Sequence, residues 1–174
     1  MKSGFVAVVG KPNVGKSSLI NSLVGAKVSI VSDKPQTTRN KIAAIANLPD
    51  AQVVFLDTPG IHRARHNLGD RLVRTARSAM AEVDLIIFVV DATSSGRPED
   101  ETVASYIAEV ETPAWLLINK IDAVRPEQLA EAEAKSRRLG HFERVRLVSA
   151  ATGQNMEGLA SEIASVMPDG PMYY

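Results

Sequence analysis

The chain has 174 residues, 45% hydrophobic and 23% charged, the composition of one soluble globular domain and not of a disordered or fibrous chain. Its 20 basic and 20 acidic residues cancel, so no global field marks it for nucleic acid or a membrane surface, and any such partner needs a local patch. It has no cysteine, which excludes disulfides and thiolate metal sites and fits a reducing cytoplasm, and it has no apolar run of signal-peptide or membrane-spanning length.

The first predicted element is the strand Phe5–Val9, a continuous apolar run of the kind covered on both faces. It runs into Gly10-Lys11-Pro12-Asn13-Val14-Gly15-Lys16-Ser17, which fills every fixed position of G-x-x-x-x-G-K-[ST]. A helix over Ser17–Val24 follows, with Leu19, Ile20, Leu23 and Val24 on one stripe and Gly25 to stop it. Strand, loop and helix in this order make the motif specific. The glycines let backbone N–H groups turn inward around a β-phosphate, and the helix N-terminus adds partial positive charge. Residues Gly10 to Ser18 are therefore assigned to phosphate binding, with Lys16 reaching the β- and γ-phosphates and the Ser17 hydroxyl ligating Mg²⁺. A glycine-rich turn without a ligand is the plainer alternative, which the lysine and the helix disfavour.

Two further strands, Lys41–Leu48 and Gln52–Asp57, are separated by Pro49 and Asp50, a hairpin signal that makes them antiparallel. Asp57 ends a buried strand, where a carboxylate can hold the outer magnesium shell, and Gly60 is placed to give its N–H to a γ-phosphate. D-x-x-G alone is weak, since both residues favour turns; its position after the phosphate loop strengthens it. The next residue is Ile61, whose side chain cannot orient an attacking water.

Helical patterns cover Leu68–Ala81, Pro98–Val110, Pro126–Leu139 and Met156–Met167, alternating with strands over Asp84–Val90, Ala114–Asn119 and Arg144–Ser149. This alternation predicts an α/β three-layer P-loop NTPase, with a mostly parallel six-stranded sheet, one antiparallel strand and about five helices. The domain spans residues 1–167, and PDGPMYY at the end (168–174) reads as a tail or the start of a linker.

Asn119-Lys120-Ile121-Asp122 follows a strand directly. A carboxylate at Asp122 can accept both N1–H and the 2-amino group of guanine, whereas adenine turns a lone pair toward it. The Lys120 stem can lie along the ring, Asn119 can tie the base loop to the phosphate loop, and Ser149-Ala150 can bring a backbone N–H to guanine O6. An aspartate-capped turn is the plainer reading of NKID taken alone. Behind a phosphate loop it specifies GTP and GDP.

In this order the motifs resemble small GTP-binding domains of Ras-like type over essentially the whole chain. The segment Val28–Ile42, V-S-I-V-S-D-K-P-Q-T-T-R-N-K-I, is similar to switch I of the Era family of bacterial GTPases, with Gln36 and Asn40 where related families carry glycine and aspartate. The resemblance implies that Thr38 completes the Mg²⁺ shell and that backbone groups of Thr38 and Gly60 orient the water. Members with a hydrophobic residue at the position of Ile61 use a phosphate-loop asparagine, here Asn13, to bind potassium, which compensates developing charge. Lys16, Thr38, Gly60 and Asn13 are thus the expected catalytic set, and slow hydrolysis is expected. The family also implies a switch role in small-subunit (16S) ribosomal RNA maturation, a monomer, a cytoplasmic site of action with peripheral membrane association, and a KH-type RNA-binding domain that is not in this sequence.

Arg63, Arg65, Arg71, Arg74 and Arg77 form a basic cluster that reads as a solvated helix face or as a state-dependent RNA contact; His62 and His66 among them receive no role. Two rival functions are a GTP/GDP sensor that turns over only with a partner, and an ATP-dependent enzyme. NKID opposes the second.

Overall fold

The structure is a computed structural model in which residues 1–25, 41–57 and 77–174 are described, with the side chain of Lys41 set apart. Six strands form one sheet: β1 (Lys2–Val9), β2 (Lys41–Leu48), β3 (Ala51–Asp57), β4 (Leu85–Asp91), β5 (Ala114–Asn119) and β6 (Arg144–Leu147), in the spatial order β2-β3-β1-β4-β5-β6. Four α-helices accompany them, α1 (Lys16–Val24), α2 (Pro98–Ile107), α3 (Pro126–Arg137) and α4 (Leu159–Ser165), and residues 77–82 are also helical.

Only β2 runs antiparallel, joined to β3 by the two-residue turn Pro49-Asp50, with Leu48 opposite Ala51 and a register shift between Ile42 and Ala44. This is the predicted hairpin. Successive strand side chains point to opposite faces, so an unbroken apolar run needs a cover on both. In β1, Val6 and Val8 join Leu19, Leu23, Phe55, Trp115 and Ile163 in one core; Ala7 and Val9 join Met80, Phe88, Val103 and Ile118 in the other.

β1 pairs with β3 on one side and β4 on the other, so the strand order reverses there. A crevice opens beyond the strand ends at such a point, and it is where α/β sheets bind ligands. Val8 lies beside Asp57 and Asp91 beside Asn119, which brings four chain segments to one edge.

Several predicted boundaries move. The helix expected over Met156–Met167 is regular only over Leu159–Ser165: Gly158 (φ 78°) takes left-handed backbone inside its first turns, and Asn155 (φ 62°) does so just ahead of it. α2 stops at Ile107, beyond which Glu109 and Val110 bond to carbonyls three residues back, and α3 stops at Arg137. The last strand loses Val148 and Ser149. The helix expected over Leu68–Ala81 lies outside the described residues except for its last turn.

The final residues form no regular element, as their composition indicated, yet they are anchored. Gln52 is fully buried; its Oε1 accepts the N–H groups of Tyr173 (2.8 Å) and Tyr174 (3.2 Å), and its Nε2 donates to Asn47 Oδ1 (2.9 Å) and the Tyr174 carbonyl (3.1 Å). Tyr173 also lies 4.9 Å from the Phe5 ring. Gln52→Leu should therefore cost about 1–3 kcal/mol, because buried donors and acceptors lose their partner. Urea denaturation with limited proteolysis of the tail measures it, and an unchanged midpoint with an equally protected tail would reject the clamp.

Candidate functional site

The phosphate loop is built by close approach. A Cβ on Gly10 would sit 2.6 Å from the Val89 carbonyl, so a side chain there would push the loop off β4. Gly15 has φ 96°, and a Cβ on it would collide with the Asn119 carboxamide. Asn13 takes a left-handed backbone, φ 67°, between them. Val14 is buried and pins the loop to the core, while Pro12 and Asn13 are exposed. Ser17 and Ser18 are exposed on the first turn of α1, whose free N–H groups face the loop.

Lys16 Nζ donates to the Gly10 carbonyl at 2.8 Å, folded back across its own loop. Burial lowers its pKa below 10.5, and the nearby Asp57 charge opposes that shift. An anion arriving here would favour the lysine's charged form. Asp57 ends β3, half-buried, beside the end of β1.

Lys11 behaves differently from the lysine that shares its motif. Its side chain is buried and turned away from the loop's concave side, donating to the Ser94 carbonyl at 2.7 Å and standing 3.4 Å from Asp100 Oδ2. Burial pushes the Asp100 carboxyl up, with the Lys11 charge opposing it. Of Lys11, only the backbone is left to line a phosphate site.

The base loop is tied to the phosphate loop by one side chain. Asn119, 2% exposed, donates Nδ2–H to the Val14 carbonyl (2.9 Å), and its Oδ1 accepts the Ala150 N–H (3.0 Å). Lys120, with φ 67°, donates Nζ–H to the Asn13 carbonyl at 2.7 Å. Asp122 is exposed and accepts the Ser149 hydroxyl at 2.7 Å, which holds the carboxylate at the mouth of the junction. The Ser149 N–H is taken by the Gln154 carbonyl (3.0 Å), so of the expected Ser149-Ala150 pair only the Ala150 N–H points into the junction.

Thr38, Gly60, Ile61, His62, His66 and Arg63 through Arg74 lie outside the described residues. Arg77 is described: it pairs with Glu109 at 2.7 Å in a partly exposed contact and lies 5.1 Å over the Tyr106 ring. No group of three or more metal-ligating side chains occurs among the described residues. No helix among them is long and apolar enough to cross a membrane. Asp91, at the end of β4 and next to Lys120, was missed, because an aspartate closing a strand has no local signature.

This geometry defines a P-loop nucleotide-binding domain of the Ras-like GTPase fold. Residues 5–120 match the model of the family described as 50S ribosome-binding GTPase, and the chain belongs to that family. It is 45% identical over 173 residues to GTPase Era of Alkaliphilus metalliredigens, covering 99% of this chain and 59% of the relative. Against GTPase Era of Geotalea daltonii it is 47% identical over 172 residues, 99% of this chain and 58% of the relative. The fold matches a crystal structure of Era in complex with MgGDPNP and nucleotides 1506–1542 of 16S ribosomal RNA (TM-score 0.80, 39% identity, 100% of this chain, 60% of that one). It also matches a crystal structure of a point variant of Aquifex aeolicus Era bound to GDP·AlF4⁻ (TM-score 0.79, 38% identity, 100% and 60%). Era GTPases are thus homologues of the whole chain, which spans about three-fifths of their length.

Because Asn119 satisfies two loops from one buried carboxamide, Asn119→Ala should destabilise the domain by about 2 kcal/mol and loosen both loops. Hydrogen exchange without nucleotide should show lost protection at the Ala150 amide and in the phosphate loop. Unchanged exchange at both would mean that they are held by something else.

Proposed function

We propose that the chain binds GTP and GDP with Mg²⁺ and hydrolyses GTP slowly, as the nucleotide switch of an Era-type protein acting in the cytoplasm on small-subunit ribosomal RNA. The observation that carries this reading is the junction at Asn119, which sets an exposed Asp122 carboxylate beside a phosphate loop. The relatives bound to MgGDPNP with 16S ribosomal RNA and to GDP·AlF4⁻ support it.

Each residue then has a role. Asp122 accepts two hydrogens from guanine, the Lys120 stem covers the ring, and the Ala150 N–H, shared with Asn119 Oδ1, serves O6. Lys16 exchanges the Gly10 carbonyl for the β- and γ-phosphates, whose backbone N–H partners come from the loop residues of Gly10 to Ser18 other than Pro12, which has none. The Ser17 hydroxyl, exposed at the start of α1, is the hard oxygen donor that magnesium prefers; Asp57, at the end of β3, holds the outer magnesium shell, and Thr38 completes the inner one in this reading. Magnesium would compensate phosphate charge there. The attacking water is oriented by backbone groups of Thr38 and Gly60, since Ile61 offers no side-chain hydrogen bond.

Specificity tests the reading directly. GTP should bind on the order of 10⁴-fold better than ATP, because adenine leaves the site's polar groups unpaired. Asp122→Asn should weaken GTP on the order of 100-fold by removing two charge-assisted bonds, and should favour xanthosine triphosphate. Isothermal titration decides, and equal affinity of the parent for ATP and GTP would sink the proposal.

Asn13, exposed in left-handed backbone at the rim of the loop, is proposed to bind potassium beside the phosphates. A ligand acting in the transition state changes rate more than ground-state affinity. Single-turnover hydrolysis should be faster in potassium than in sodium at matched ionic strength, and Asn13→Ala should erase the difference while GTP affinity holds. Equal parent rates in the two salts would reject the cation.

A further inference from the structure

Asp91 closes β4 and is 7% exposed. Its two oxygens have separate tasks. Oδ1 accepts the Thr93 N–H (2.8 Å) and the Thr93 hydroxyl (2.6 Å), which shapes the turn after the strand. Oδ2 takes the Lys120 ammonium at 2.9 Å. Burial alone would push this carboxyl up, but the Thr93 bonds and Lys120 hold it below its ordinary value, so it is the charged form that faces Lys120.

Lys120 is thereby fixed at its tip by two groups on different segments, the Asp91 carboxylate and the Asn13 carbonyl 2.7 Å away. Its backbone is fixed too, since Lys120 and Asn13 both hold φ 67°, a conformation that side-chain-bearing residues adopt only when their surroundings demand it. A free lysine keeps about 2 kcal/mol of rotamer freedom that a ligand must remove to use its stem. Here that freedom is removed before any ligand arrives, which is preorganisation.

We propose that Asp91 is a positioning residue for the purine base: through the Lys120 ammonium it stretches the lysine stem into a flat apolar wall beside the base and locks that wall to the phosphate loop. The inference rests on the guanine-nucleotide reading above. A wall of methylenes touches the ring face and is indifferent to the substituents on its edge. Asp91 therefore sets how long a purine nucleotide stays bound and leaves the choice among purines to Asp122.

Asp91→Asn isolates this role. The amide oxygen keeps both Thr93 bonds, while the –NH₂ turns a donor toward the Lys120 ammonium. Dissociation of a fluorescent GDP should become about tenfold faster, the low end for a charge-assisted contact whose lysine is partly solvated. Dissociation of the matching inosine diphosphate, which lacks only the 2-amino group, should accelerate by the same factor. Thr93→Val, which removes only the hydroxyl bond at Oδ1, should leave both rates at the parent value. Lys120→Met keeps a stem of similar length but drops the ammonium that both Asp91 and the Asn13 carbonyl hold, so it should accelerate both dissociations at least as much as Asp91→Asn.

Three outcomes overturn the proposal: a parent-like rate for Asp91→Asn or Lys120→Met, an equal acceleration by Thr93→Val, or an acceleration confined to one of the two nucleotides. A parent that fails to hold GDP at all removes the guanine reading and this proposal with it. A parent that holds GDP normally beside an unaffected Asp91→Asn removes only this proposal.

Discussion

Everything at the working edge of this domain depends on the carboxamide of Asn119. β1 and β5 are not neighbours; β4 separates them, so no sheet hydrogen bond fixes the end of one against the other. Asn119 supplies that link as a donor to Val14 after β1 and an acceptor from Ala150 after β6, bonds of 2.9 and 3.0 Å from a side chain that water scarcely reaches. Only an amide offers donor and acceptor on one planar group of this length. The space it occupies is the space a Cβ on Gly15 would need, so the motif's second glycine is required as much by Asn119 as by phosphate.

Electrostatics separates the three lysines of the motifs. Lys11 has 8% side-chain exposure and is tied to the Ser94 carbonyl and the buried Asp100, groups that an incoming ligand does not replace. Lys120 has 38% exposure and spans two loops. Lys16 rests on a single carbonyl of its own loop with its charge disfavoured by burial, so it gains most from an arriving anion. The order of commitment matches their tasks: Lys11 builds the loop, Lys120 joins it to the base side, and Lys16 is left to exchange partners. Buried pairs of the first kind add little net stability, because desolvation offsets the Coulomb gain, but losing one partner strands the other.

The strands and the hairpin were readable in the sequence because burial on both faces leaves unbroken apolar runs and Pro49-Asp50 leaves room for only one kind of turn. The phosphate and base motifs were readable because a backbone cradle demands particular residues at fixed spacing. What escaped was long-range or conformational. The Lys11–Asp100 contact joins residues 89 apart in the chain, and no local period announces it. The start of α4 escaped because left-handed backbone at Gly158 cancels an apolar stripe that otherwise continues. The anchored tail escaped because composition marks where regular structure ends, and Gln52, a polar residue inside a buried strand, was the one signal that something polar must meet it.

The edge so assembled has few idle polar groups even without a ligand. Lys16 uses Gly10, Asp122 uses Ser149, the Ala150 N–H uses Asn119, and Lys120 uses Asp91 and Asn13. The Lys16–Gly10 and Asp122–Ser149 bonds are the ones a ligand takes over; each is worth only about 1 kcal/mol net, so a ligand that replaces them with equivalent partners gains modestly from each. A ligand that replaces some and strands others meets the full cost of an unpaired buried group, which is larger than the gain from any single correct contact. Discrimination at this edge therefore comes from penalties on the wrong nucleotide more than from attraction to the right one. For that mechanism the loops must not relax around a misfit, and the Asn119 link together with the Asp91–Lys120–Asn13 chain is what denies them that freedom.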